Sequence, residues 1–308
     1  MSMIHSFARK LLVIIGLVAF GLLVVPSTLA QTNNCLDTGS FAFTDTSLTI
    51  ADETQNARAT HWHPEGTLLL VVSRSTNQVV GYAMDSPWTL HKATPTMTLD
   101  VSDTVGSTDE GAHAHGLFVR DDGKKMWVFN RTEIWAYTLE TAWDLSTATP
   151  TTYRALAEAV QRGHDIDFHP EGTHLYIDDR DGQAVYTLTL STPWDIASGS
   201  WGPTLDISAE EEEVRGLEFA GEGTVLFLMD TARQAILVYQ LEVPYVLETA
   251  TYTGALDVSA ETESPRGLSV AADEQSLYVT GRDREIIFQY SISHTCGIPS
   301  NTHQDDGT

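Results

Sequence analysis

A unit of about fifty residues recurs five times and restricts this chain's fold more than any other feature, because such periods belong to solenoids, propellers and arrays. The segments Ala59-Thr-His-Trp-His-Pro-Glu-Gly66, Gly116-Leu-Phe-Val-Arg-Asp-Asp-Gly123, Asp165-Ile-Asp-Phe-His-Pro-Glu-Gly172, Gly216-Leu-Glu-Phe-Ala-Gly-Glu-Gly223 and Gly267-Leu-Ser-Val-Ala-Ala-Asp-Glu274 align, with starts 57, 49, 51 and 51 positions apart. An apolar strand pattern follows each: Leu68 to Val72, Met126 to Phe129, Leu175 to Ile177, Leu226 to Met229 and Leu277 to Val279. After a polar hairpin come the alternating runs Val79 to Met84, Ile134 to Leu139, Ala184 to Leu190, Ile236 to Leu241 and Ile286 to Ile292. Leu99-Asp-Val-Ser, Leu205-Asp-Ile-Ser and Leu256-Asp-Val-Ser mark a fourth strand. Four short strands per unit, Gly-containing turns and no helical period predict an all-β chain folded as a β-propeller, one blade per unit.

The fifth unit runs into the polar stretch Gly297 to Thr308 before any fourth strand, and the missing strand stands at the other end of the chain. Leu48-Thr-Ile-Ala-Asp-Glu53 followed by Arg58 repeats Leu256-Asp-Val-Ser-Ala-Glu261 followed by Arg266. The sequence therefore predicts a five-bladed propeller of four-stranded blades over residues 31–296, closed by the N-terminal strand joining the last blade, and a disordered polar tail over 297–308. Moved forward by the unit spacings, Cys35 falls two places from Cys296. A disulfide between them would staple the seam in an oxidising compartment.

Arg9 and Lys10 precede an apolar run from Leu11 to Val25, followed by Pro26-Ser-Thr-Leu-Ala30. A charged start, a greasy middle and a small-residue exit predict a secretory signal over residues 1–30, cleaved after Ala30. The expected location is therefore secreted or periplasmic, in a bacterium, with no membrane span after cleavage. Asp+Glu 42 against Lys+Arg 17 gives a formal charge of −25, and loss of two basic residues with the signal makes it −27. Such an acidic chain has no basic face for a phosphate backbone, which excludes nucleic acid as a partner. With 42% hydrophobic and 19% charged residues it has the apolar content to bury a core.

The region Ser86-Pro-Trp-Thr89, Thr141-Ala-Trp-Asp144, Thr192-Pro-Trp-Asp195 and Val243-Pro-Tyr-Val246 resembles a tandem-repeat family of bacterial and phage propeller proteins. Ser276-Leu-Tyr-Val-Thr-Gly281 is similar to the YVTN class of secreted propellers. The resemblance covers residues 35–296 and implies the fold; relatives of the broad propeller class include lactonases, glycosidases and pure binding scaffolds, so it does not choose a reaction. Blade five departs from the pattern by placing Cys296 where the Trp or Tyr stands.

Three registers of charge recur. The residue before each unit start is Arg58, His115, His164, Arg215 and Arg266; five positions earlier stand Glu53, Glu110, Ala159, Glu210 and Glu261; fifteen residues after the start come Arg74, Arg131, Arg180, Thr231 and Arg282. In a propeller the connections bearing these residues emerge on one face. Seven of the chain's arginines are thus expected around one channel mouth, where they either pair with the Glu register or grip a ligand carboxylate or sulfate. His113, His115 and His164 cluster with Glu110 and Asp165 near the same mouth. A zinc ion held by the three histidines, or a calcium ion near Asp178-Asp-Arg-Asp-Gly182, is a second reading, against channel-lining histidines and an ordinary Asp-Gly turn. His63 and His169, each before Pro, read as turn residues of the opposite face. Trp88, Trp143 and Trp194 recur at one register, which argues for packing before a sugar-stacking role.

These features predict a secreted scaffold whose Arg/His mouth binds an anionic small molecule, a saccharide or an extracellular protein. The alternative is an extracellular hydrolase, lactonase-like or glycosidase-like, in which Glu110, His113, His115, His164 and Asp165 activate water directly or through a metal.

Overall fold

In a computed structural model, which describes residues 38–105 and 113–293, the chain forms five antiparallel four-stranded sheets. The first strand among the described residues, β1 (Phe41–Thr49), belongs to the last blade. Blade one is β2 (Ala57–Trp62), β3 (Leu68–Ser73), β4 (Gln78–Ala83) and β5 (Thr94–Asp100), and blade two is β6 (Gly116–Val119), β7 (Lys125–Phe129), β8 (Glu133–Leu139) and β9 (Ala148–Ala155). Blade three is β10 (Ile166–Phe168), β11 (His174–Asp179), β12 (Ala184–Leu190) and β13 (Gly199–Asp206); blade four is β14 (Val214–Ala220), β15 (Val225–Asp230), β16 (Ala235–Leu241) and β17 (Ala250–Asp257). Blade five is β18 (Pro265–Val270), β19 (Ser276–Gly281) and β20 (Ile286–Ile292), completed by β1, which pairs with β20 from Phe41↔Ile292 to Thr49↔Ile286. The five-bladed propeller and its closure by the N-terminal strand are as the repeat predicts. Cys35, Cys296, the signal segment and the tail 297–308 lie outside the described residues.

Burial follows from each strand's place in its blade. All residues of β3, β15 and β19 are buried, because a second strand is packed on both faces and reads as a continuous apolar run. The outermost β17 alternates half-buried with exposed. Successive residues face opposite neighbours, so Leu68, Leu70 and Val72 pack toward Leu117 and Val128 of blade two, while Leu69 and Val71 pack toward Tyr278 and Ile287 of blade five. Similar apolar layers fill the joints between blades two and three, three and four, and four and five.

Two glycine registers have a physical requirement behind them. At the hairpin between first and second strands, Gly66, Gly123, Gly172 and Gly223 adopt φ of +69, +66, +67 and +85, and the rings of Trp88, Trp143, Trp194 and Tyr245 lie on them. A Cβ at Gly172 would stand 2.3 Å from the Trp194 ring, and the Trp194 amide donates to the Gly172 carbonyl at 2.9 Å. The turn glycine and the Trp of the later tetrapeptide are thus one latch, repeated in four blades. On the axis, a Cβ at Gly267 would lie 2.4 Å from the Arg58 carbonyl, and one at Gly116 would lie 3.0 Å from the Asp165 Cα. Neighbouring inner strands therefore touch backbone to backbone at the layer of Ala59, Gly116, Asp165, Gly216 and Gly267, where the channel is narrowest.

Candidate functional site

Each blade brings two connections to the same mouth, and the backbone straps them together. The amides of Arg74, Arg180, Thr231 and Arg282, in the hairpins between second and third strands, donate to the carbonyls of Asn56, Arg162, Glu213 and Ser264 at 3.0 to 3.3 Å. Each acceptor stands two residues before Arg58, His164, Arg215 or Arg266, so the two charged registers meet in space. Arg58 and Arg266 are buried, 6% and 5% exposed, and His115 and His164 are 0% and 2% exposed.

The arginines are not neutralised by the recurring glutamates. Glu210 accepts from the Tyr239 hydroxyl (3.4 Å) and Glu261 from the Tyr290 hydroxyl (2.7 Å), both on third strands. Glu110 lies outside the described residues. The carboxylate that engages most closely is Glu213, at a register where the other units carry no acid, which takes Arg180 at 2.8 Å and Arg215 at 2.5 Å; Asp181 lies 3.9 Å from Arg180. Burial would raise its carboxyl, but the hydrogen bond and charge of Arg215, with Arg180 and Arg266, hold it below its usual value. Among the described residues Arg58, Arg74, Arg131, Arg266 and Arg282 have no carboxylate partner, and Arg58, Arg74 and Arg266 each bury an Nε that bonds to nothing.

The mutual repulsion is large. Burial, then the charges of Arg266, Arg215, Arg74 and Arg282, push Arg58 down to about 8 from 12.5; burial, then Arg215 and Arg282, push Arg266 down to about 9. Burial, then Arg162, Arg74 and other arginines, push Arg131 down to about 10. A guanidinium keeps its proton in proteins, so these depressions mark charges held first against the cost of burial and second against one another.

His115 and His164 sit inside the ring with their rings 5.1 Å apart, edge to face. Arg131 Nε donates to His115 Nε2 at 3.2 Å, and Arg215 Nη1 lies 2.9 Å from His164 Nε2. A guanidinium can only donate, so Nε2 is the acceptor in both rings and Nδ1 carries the proton. Both Nδ1 atoms are buried and have no partner among the described residues. Burial first, then His164, Arg58, Arg131 and Arg74 for His115, and Arg215, Arg58, Arg131 and Arg180 for His164, hold both imidazoles well below 6.5, hence neutral at pH 7. They present two more N–H donors, not two bases.

Among the described residues His113, His115 and His164 do not come together as a metal-holding group. With Nε2 engaged by guanidinium and Nδ1 protonated, neither ring offers a lone pair, and the His113 ring lies instead beside Asn77 Oδ1 at 3.4 Å. Among the described residues no group of three or more His, Cys, Asp or Glu could hold a metal. That covers Asp178 and Asp179 too: Asp178 accepts the amides of His164 and Asp165 at 2.5 and 2.8 Å, and Asp179 those of Gln161 and Arg162 at 2.7 Å. Asp165 is buried in the narrow layer, accepting from the Ile166 amide at 3.0 Å, and burial followed by the Asp178 charge keeps its carboxyl well above the usual range. His63 and His169 accept the amides of Glu65 and Glu171 through Nδ1, as turn residues do.

The family model for lactonases, described as 7-bladed β-propellers, matches residues 31–307. The described residues form five blades where that description gives seven. Among solved structures, a protein from Lactobacillus plantarum superposes with a TM-score of 0.50 at 12% identity, over 76% of this chain and 67% of its own. A candidate 6-phosphogluconolactonase from Bacteroides uniformis gives 0.46 at 15% identity over 73% and 64%, and a functionally unknown protein from Desulfotomaculum acetoxidans gives 0.43 at 12% over 74% and 63%. The chain spans 63 to 67% of the length of these three proteins, and identities so low carry the fold alone. No curated protein matches the sequence. The family match takes in nearly everything after residue 30, and the chain belongs to the lactonase family of β-propellers.

Proposed function

We propose that the arginine mouth binds an anionic small molecule, such as a uronate or a sulfated or carboxylated saccharide, through Arg58, Arg74, Arg131, Arg180, Arg215, Arg266 and Arg282. The observation that carries this reading is, among the described residues, the set of guanidiniums without carboxylate partners around two buried, unpartnered imidazole N–H groups. Planar guanidiniums take carboxylate or sulfate oxygens two at a time, and a ring of them selects for charge before shape. The test is calorimetric titration with galacturonate oligomers at low and high salt. Binding should weaken with salt and fall at least about tenfold when Arg215 and Arg266 both become Ala; unchanged binding in that variant overturns the reading.

Family membership favours a second reading at the same mouth, hydrolysis of a lactone whose acidic substituent the arginines hold. Water would add to the ring carbonyl, the His115 and His164 Nδ1–H groups would stabilise the oxyanion, and the acyl C–O bond would open to a hydroxy acid. Among the described residues the carboxylate bonded most closely to the arginines there, Glu213, is held down by two guanidiniums and is a weak base, which ranks binding ahead of hydrolysis. Alkali uptake on incubation with sugar-acid lactones, abolished in the His115→Phe variant, would reverse that ranking. We further propose that the chain is exported from a bacterial cell with residues 1–30 removed, that Cys35 and Cys296 are bonded, and that it falls in the YVTN-like secreted class.

A further inference from the structure

Beyond the layer where the inner strands touch, the hairpins between first and second strands enclose a cavity of about 750 Å³. Its chemistry is the inverse of the arginine mouth. Asp121, Asp122, Asp167, Glu218, Glu222 and Glu274 line it, and its one guanidinium, Arg120, is already bonded to Asp122. Indole and phenyl rings form the walls, among them Trp62, Trp88, Phe118 and Trp194.

The deepest groups come from a single register two residues after each unit start: His61, Phe118, Asp167, Glu218 and Ser269. Asp167 is fully engaged, accepting the amides of Phe168 at 2.7 Å and of Phe219, in the next blade, at 3.0 Å. Among the described residues Glu218 accepts one long bond, from the Val270 amide at 3.4 Å to Oε1, and none at Oε2. One wall already carries a cation: the Arg120 Cζ stands 5.7 Å from the Trp194 ring centroid. Aromatic faces are negative at their centres, so rings and carboxylates together favour positive charge on an apolar body. A hard metal ion is a poor fit, since no three carboxylate or imidazole groups among the described residues converge. Burial, with the charges of Asp167 and Asp165, raises the Glu218 carboxyl well above its usual value, as an acid lacking a counter-charge would be.

We propose that this cavity binds an organic cation of the alkylammonium class, with Glu218 facing the charge and Trp88, Phe118 and Trp194 enclosing its apolar part. It would be a site separate from the arginine mouth, of opposite charge preference.

The experiment compares choline with its neutral isostere 3,3-dimethylbutan-1-ol on the intact chain, by calorimetry and by intrinsic tryptophan fluorescence, since Trp62, Trp88 and Trp194 line the cavity. Choline is expected to bind and to change the fluorescence, the neutral alcohol to bind at least about tenfold more weakly, and Glu218→Gln to lose about tenfold for choline alone. Equal binding of the two probes, stronger binding of neutral oligosaccharides, or no response to choline up to about 100 mM would overturn the proposal. If the Glu218→Gln chain fails to fold, the charge comparison on the unmodified chain still decides.

Discussion

Replacing Arg58 by Met should make the protein more stable, because the side chain occupies its place against its own electrostatics. Arg58 is 6% exposed, and among the described residues its side chain makes one hydrogen bond, a 3.4 Å contact to the carbonyl of Ala57. Burial, then four neighbouring arginines, push it from 12.5 to about 8, and at about 1.36 kcal/mol per tenfold change this corresponds to roughly 6 kcal/mol of native-state cost. A cation with a lowered value carries the whole cost wherever it stays protonated, so at pH 7 it acts in full. The figure is a ceiling, since water and counter-ions screen the ring. Met keeps most of the buried stem and none of the charge. The expected gain is about 1 to 3 kcal/mol at low ionic strength, or about 2 to 4 °C in melting temperature per kcal/mol for a chain of this size. Calorimetric melts in a dilute zwitterionic buffer, with and without citrate, provide the assay. Citrate should raise the melting temperature of the unmodified protein and do less for the variant. An Arg58→Met protein that melts lower without citrate, or gains as much from it, refutes the argument that the ring is left uncompensated for a ligand.

Gly172→Ala places a Cβ 2.3 Å from the Trp194 ring at φ +67; the left-handed backbone and the overlap together should cost about 2 to 5 kcal/mol in urea unfolding, and a loss under about 1 kcal/mol would mean the latch yields. Burial pushes Asp178 from 3.8 to about 7 against the amide bonds of Asp165 and His164. A carboxyl raised in the native state weakens the fold as pH rises between those values, so stability should fall by up to about 4 kcal/mol from pH 4 to above pH 7, and Asp178→Asn, which retains an acceptor for both amides, should flatten that slope. If Cys35 and Cys296 are bonded, reduction should lower stability by about 3 to 5 kcal/mol, and peptide mapping that finds both thiols free removes the staple.

The architecture was legible because every blade repeats the same turns: a glycine that must take a positive φ and a ring that covers it leave the same letters at the same spacing. Closure by β1 could be read from Glu53 and Arg58 standing where Glu261 and Arg266 stand in the last complete unit. The gathering of the arginines was legible for the same reason, since one register means one height on the axis. Their partners were not. Glu210 and Glu261 reach tyrosines on third strands, whereas Glu213 finds two guanidiniums from a register where the other units carry no acid. Spacing gathers His113, His115 and His164 but is silent on which ring nitrogen a neighbouring arginine takes. The acidic cavity had a signal that is easy to pass over, in Ile166-Asp167-Phe168 and Leu217-Glu218-Phe219, where a charged residue sits between apolar ones on an inner strand. Trp88 and Trp194 pack, as their recurrence implies, yet they also line that cavity.

The strand that completes the last blade is made before the other described strands of the propeller. Thr44 bonds to Gln289, 245 positions further on, so on the ribosome β1 waits roughly 12 to 50 s for its partner at ordinary elongation rates. During that interval it is an unpaired strand, and the growing propeller has an open edge at each end. Two chains caught at this stage can each donate β1 to the other's β20, producing an entwined dimer that keeps every native strand pairing. Refolding yield of monomer should therefore fall with protein concentration, and a short tether joining the ends of β20 and β1 in a permuted chain should restore it.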